Sequence, residues 1–180
     1  MALQVNFTAS QASNCKDIDV IDTTGVYDAL NNPTGWGAPN ADTTDVTQAT
    51  LYIVTPSGSS YAIDATLLLN DELTVLGSSI GYTGKLPDGY YDIRYEVQGV
   101  FGGNSGVLSS ERKNVLFYGN VYCCIEKMNV DDACVCDTSE VEEMMLLFEA
   151  MKAADECCDI VCAKKILTEL TRRCAKKCNC

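Results

Sequence analysis

The chain has 180 residues and a formal net charge of −12, from 25 acidic and 13 basic side chains, with no histidine and 11 cysteines. Nucleic-acid grip draws most of its strength from Lys and Arg neutralising phosphates, so this acidic chain is not expected to bind DNA or RNA by sequence. No apolar run approaches the roughly 20 residues of a membrane-spanning helix, and the length suits one typical domain with a small second one.

Up to residue 120 the chain is rich in Gly, Thr, Ser, Asn, Tyr and Val, with a single cysteine, Cys15. Its opening residues, Met-Ala-Leu-Gln-Val-Asn-Phe-Thr-Ala-Ser, have neither the basic start nor the apolar run of a secretion signal. Leu3, Val5 and Phe7 alternate with polar residues, as do Ile18 with Val20 and Leu51 with Ile53. Such a period of two predicts strands with one face buried and one wet.

Between the second and third of these strands lies an irregular stretch, residues 22–40, with the only tryptophan, Trp36, between Gly35 and Gly37. A tryptophan held there is expected to plug one end of a sheet domain. The sharper alternative makes Trp36, together with Tyr27, an interface anchor. Further strand signals cover residues 61–69, 72–76, 90–101 and 107–118, so about seven strands at this spacing predict an antiparallel β-sandwich over 1–120. A Pro87-Asp88-Gly89 turn launches the run in which Tyr91, Ile93, Tyr95 and Val97 share one face and Asp92, Arg94 and Glu96 the other. Leu86, Gly89 and Tyr91 resemble the tyrosine corner of immunoglobulin-like and fibronectin type III sandwiches. Residues 102–106, Gly-Gly-Asn-Ser-Gly, read as a hairpin loop.

Past residue 120 the composition turns to Glu, Lys, Met, Leu and Cys, and a small cysteine-rich helical domain is expected over 121–180. Residues 121–128 read as a short helix or an extension of the last strand, and 131–137 as a turn. Ser139 followed by Glu142 forms a capping-box pattern that starts a helix. Val141, Met144, Met145, Phe148 and Met151 then recur at helical spacing, and Met144 and Phe148 join the candidate interface. A second helix from about Asp159 places Ile160, Ala163, Leu167, Leu170 and Cys174 on one side, and its bases gather towards the C-terminal end, where they offset the dipole. The two helices should form an antiparallel hairpin. The acids outnumber the bases thirteen to five before Val121 and twelve to eight after it, so neither part carries a basic patch.

Ten cysteines follow residue 120: Cys123, Cys124, Cys134, Cys136, Cys157, Cys158, Cys162, Cys174, Cys178 and Cys180. Disulfides joining turn and doublet cysteines to the second helix are the first reading, and packed reduced thiols the second. Zinc is the third, because the doublets and the tight Cys134-x-Cys136 spacing suit chelation poorly. Neither a metal nor a cofactor is expected. With no histidine to serve a nucleophile, no phosphate-cradling glycine loop and no Cys-x-x-Cys motif, an enzyme is not expected either.

The Thr-Gly-x-Tyr and Asn-Pro-Thr-Gly-Trp-Gly-x-Pro-Asn patterns within residues 22–40 resemble virion proteins of crAss-like gut bacteriophages. So does Val-Tyr-Cys-Cys-Ile at 121–125, followed by a Cys-x-Cys turn and a two-helix hairpin with late cysteines. The resemblance implies a structural protein of the virion, synthesised in the bacterial cytoplasm. It would form a homo-oligomeric ring of twelve-fold or six-fold symmetry in the head-to-tail or tail assembly of a short-tailed phage, alongside other portal and tail ring proteins. Two alternatives remain open: a cysteine-rich metal-binding or redox module, and an adhesion sandwich that binds glycan through Trp36 and tyrosines.

Overall fold

The computed structural model describes residues 4–27, 30–37, 43–130 and 138–177. It is an α+β protein, with two antiparallel sheets and three α-helices among the described residues. The chain divides into two compact units, Met1–Leu86 with Tyr90–Val115, and Pro87–Gly89 with Leu116–Cys180.

In the first unit, strands β1 (Phe7–Gln11), β2 (Ile18–Asp22) and β5 (Glu72–Val75) form a sheet in the order β1-β2-β5. A second sheet runs β4 (Ser60–Asp64), β3 (Thr43–Val54), β6 (Gly89–Phe101) and β7 (Asn104–Ser109), and β8 (Lys113–Phe117) also pairs with β6. The alternation read from the sequence sets the faces. Phe7, Ile18, Val20, Leu51, Ile53, Tyr91, Ile93, Tyr95 and Val97 are all fully buried. Each such side chain contributes about 1.5–3 kcal/mol by leaving water. Gly102 and Gly103, both at positive φ, make the two-residue turn between β6 and β7, a conformation other residues resist.

Two strand expectations are corrected. The strand expected over 61–69 ends at Asp64, because its Oδ1 accepts hydrogen bonds from the Thr66 backbone N–H at 3.0 Å and the Thr66 hydroxyl at 2.7 Å. That local turn competes with the ladder and starts a 3-10 turn over Thr66–Leu68. The same two bonds hold the Asp64 carboxyl below its ordinary range. The single strand expected over 107–118 is two strands, broken at Ser110. Its backbone N–H donates to the Tyr95 carbonyl at 2.8 Å, and its hydroxyl oxygen accepts from the Tyr95 N–H at 2.9 Å. A side chain thus stands in for a carbonyl in the ladder.

The second unit holds α1 (Gly119–Val130), α2 (Thr138–Glu156) and α3 (Ile160–Lys177). Residues 121–128 are therefore helical. The α1 N-terminus is capped from a distance, since Asp88 accepts the backbone N–H of Asn120 at 2.9 Å and of Val121 at 2.8 Å. A carboxylate there satisfies orphan donors and meets the positive end of the dipole. The core comprises Val121, Ile125 and Met128 from α1, Val141, Met144, Phe148 and Met151 from α2, and Ala163, Leu167 and Leu170 from α3. Met145, expected on the buried stripe, lies off it and is half exposed. Between α2 and α3, Cys158 takes a left-handed conformation at φ 59°, and Asp159 caps α3 by accepting the Cys162 N–H at 3.0 Å.

Candidate functional site

Among the described residues of the loop after β2, Thr24 and Trp36 meet one carboxylate. Asp22 Oδ2 accepts the Trp36 indole N–H at 2.6 Å and the Asn70 backbone N–H at 3.3 Å, while Oδ1 accepts the Thr24 N–H at 2.9 Å. Asn70 completes the clasp by accepting the Trp36 N–H at 2.5 Å and donating to the Trp36 carbonyl at 3.4 Å. Trp36 is 7% exposed, and its ring meets Phe101 edge-on at 6.4 Å. The glycines of the motif have local reasons. A Cβ on Gly25 would come within 2.8 Å of the Tyr27 ring, and one on Gly35, at φ +86°, within 2.7 Å of the Asn70 side-chain oxygen. Tyr95, fully buried, reaches Asp22 Oδ2 with its hydroxyl at 3.5 Å, and burial, then the Asp22 charge, push its phenol far above the ordinary value. Asp22 and Asn70, which sequence reasoning missed, carried no motif of their own.

Of the four residues expected at an interface, Trp36 thus lies inside the sheet unit and Tyr27 is 41% exposed. Met144 is fully buried in the helical unit, whereas Phe148 sits at the edge of its core. The Phe148 ring meets Tyr118 edge-on at 5.2 Å and Tyr122 at 5.9 Å. Met145, one turn earlier on α2, lies on the same side of the helix. Tyr122 and Met145 are each 46% exposed, and Leu146, next to Met145 in sequence, is 72% exposed. Lys152 Nζ stands 5.8 Å above the Phe148 ring and pairs with Glu149, giving the patch a charged border. The Tyr122 phenol is raised, first by hydrogen bonding to Glu126 and then by that carboxylate's charge. An aromatic centre with a charged border is how a protein-binding patch is built.

Among the described residues, one disulfide joins α1 to α3, Cys124–Cys174, with Cα atoms 6.1 Å apart. Cys123 and Cys162 are half-buried thiols, and Cys157 and Cys158 are exposed ones, at the corner between α2 and α3. Cys134, Cys136, Cys178 and Cys180 lie outside the described residues. Among the described residues, no group of three or more Cys, Asp or Glu side chains is placed to share a metal ion, and no helix is long and apolar enough to cross a membrane. The helical unit also carries an ion network: Arg173 pairs with Glu143 at 3.0 Å and Glu169 at 2.8 Å, and Arg172 with Glu169 at 2.6 Å. The Arg172 hydrogen bond, then that of Arg173, pulls the Glu169 carboxyl down to about 2.

No protein-family model, characterised protein or solved structure matches the chain.

Proposed function

We propose that this chain is a structural virion protein that assembles as a homo-oligomeric ring in the head-to-tail or tail assembly of a short-tailed bacteriophage. The observation that carries the reading is the Tyr122–Phe148–Met145 patch, an aromatic and thioether surface left partly uncovered on a helical unit whose own core is already filled. A closed ring repeats a heterologous contact, so each copy needs two different complementary surfaces. The patch is one, and the half-exposed Tyr27 on the sheet unit is the candidate for the other. The resemblance of residues 22–40 and 121–125 to crAss-like phage virion proteins points the same way, and the net charge of −12 suits a passage that must not retain DNA.

The finer fold belongs to the same proposal: the two sheets face each other as an immunoglobulin-like or fibronectin type III-like sandwich. In its support, Phe7 of β1 meets Tyr95 of β6 edge-on at 6.3 Å, and both are fully buried.

Native mass spectrometry of the purified chain, beside Met145→Asp, tests the ring. Both Met145 and its neighbour Leu146 are off the core, so the variant should keep its helical circular dichroism while its closed oligomer falls to smaller species. A wild type that stays monomeric at high concentration, or a Met145→Asp ring as stable as wild type, would contradict the assignment of this patch.

A further inference from the structure

The wet face of the five-stranded sheet is a grid set by register. Gln48 of β3 stands opposite Gln98 of β6, which stands opposite Val107 of β7; Thr50 stands opposite Glu96, and Tyr52 opposite Arg94. Because strand side chains alternate, these even-numbered positions of β3 and β6 share one face, while Ala49, Leu51, Ile53, Ile93, Tyr95 and Val97 fill the core on the other. Gln48, Thr50, Tyr52, Glu96, Gln98 and Val107 line a shallow groove of roughly 170 Å³ there. We propose that this groove is a binding site for a neutral saccharide unit. The inference is independent of the ring assignment.

Three features select that chemistry. Charge is cancelled in place: Glu96 pairs with Arg94 at 3.0 Å and accepts the Ser109 hydroxyl at 3.0 Å, so neither an anion nor a cation finds an unpaired counter-charge. The polar groups that remain on the lining are two carboxamides and the Thr50 and Tyr52 hydroxyls, while the Nε of Arg94, whose charge Glu96 balances, is a buried donor with no partner. Each carboxamide carries both donors and acceptors, as sugar hydroxyls require of a partner. An apolar wall completes the set. The Arg94 guanidinium covers one face of the Tyr52 ring at 4.8 Å from its centroid, the ring remains part-exposed, and Val107 is exposed on the far strand. A pyranose has one face of C–H groups for such a wall and hydroxyls around its rim.

Saturation-transfer NMR on the full chain tests the site with methyl β-D-glucopyranoside, methyl β-D-galactopyranoside, methyl α-D-mannopyranoside and N-acetyl-D-glucosamine, and with methyl β-D-glucuronide as the anionic comparison. At least one neutral probe should receive saturation, strongest on the C–H protons of one ring face, and bind several-fold better than the glucuronide. Gln98→Ala, an exposed change that leaves the core intact, should weaken binding up to about tenfold, the effect of losing one or two hydrogen bonds. Tyr52→Ala should remove the ring-face signal. Silence from all four neutral probes, a glucuronide that binds as well, or transfer that survives both substitutions would overturn the proposal.

Discussion

The Cys124–Cys174 disulfide closes a loop of sequence separation 50 between the first and last helices of the second unit. Confining the unfolded chain to that loop removes conformational entropy worth about 4 kcal/mol at room temperature. A helical unit of this size has a total stability on the order of 5 kcal/mol, so the staple supplies most of it. The informative perturbation is the double substitution Cys124→Ala and Cys174→Ala, since both sulfurs are buried and serine would leave a hydroxyl without a partner. Urea titration followed by helical circular dichroism reads the result. With a slope near 1 kcal/mol per molar for so small a unit, the helical midpoint should fall by about 4 M, leaving the helices close to unfolded in water. Reductant on the wild type isolates the bond from the two small cavities and should give nearly the same shift. A helical transition that moves by less than about 1 kcal/mol under both treatments would refute the reasoning.

Three further outcomes follow from the geometry. The Glu169 and Glu143 carboxyls are held below their ordinary values by Arg172 and Arg173, so their contribution is fully present above the unfolded carboxyl range and is lost as pH falls through the folded values. Stability of the helical unit should therefore decline from about pH 4.5 towards about 2, and Glu169→Gln should flatten that slope in acid titrations. Cys158→Gly, at φ 59°, should raise helical stability by about 1 kcal/mol in thermal melts, because the left-handed turn strains any side chain; a loss would show that the thiol makes a contact worth more than the strain. Trp36→Ala should cost the sheet unit about 3–5 kcal/mol by chemical denaturation, since the indole is buried and bonded to Asp22. If the sheet unit instead kept its stability while assembly failed, Trp36 would be an anchor and the plug reading would be lost.

The alternation of Tyr91, Ile93, Tyr95 and Val97 and the helical spacing of Val141, Met144, Phe148 and Met151 were legible because each reports a single buried face. What periodicity could not reach were side chains that act on distant backbone. Ser110 splits a strand by bonding the backbone of Tyr95, Asp64 ends one by bonding Thr66, and Asp88 caps a helix more than thirty residues away. Met145 has the right spacing for the core stripe, yet the stripe is narrower than the set of apolar residues on α2, so it lies outside. The cysteine doublets drew attention to Cys124, but its partner is fixed by the packing of α1 and α3 and by nothing in the spacing. Around Trp36 the glycines marked a tight loop, while the Asp22 and Asn70 clasp depends on a contact 34 residues away from Asn70 to Trp36. The sheet groove was invisible for a similar reason: it needs the register of three strands.

Cryo-electron microscopy of virus particles purified from cells that make this chain tests the central proposal most directly. The ring assignment predicts density for this chain in a closed twelve-fold or six-fold layer at the head-to-tail junction or tail, with the Tyr122–Phe148–Met145 patch covered by a neighbouring subunit. Particles that lack the chain, or that hold it only as a fibre on the capsid exterior with the patch bare, would contradict the account.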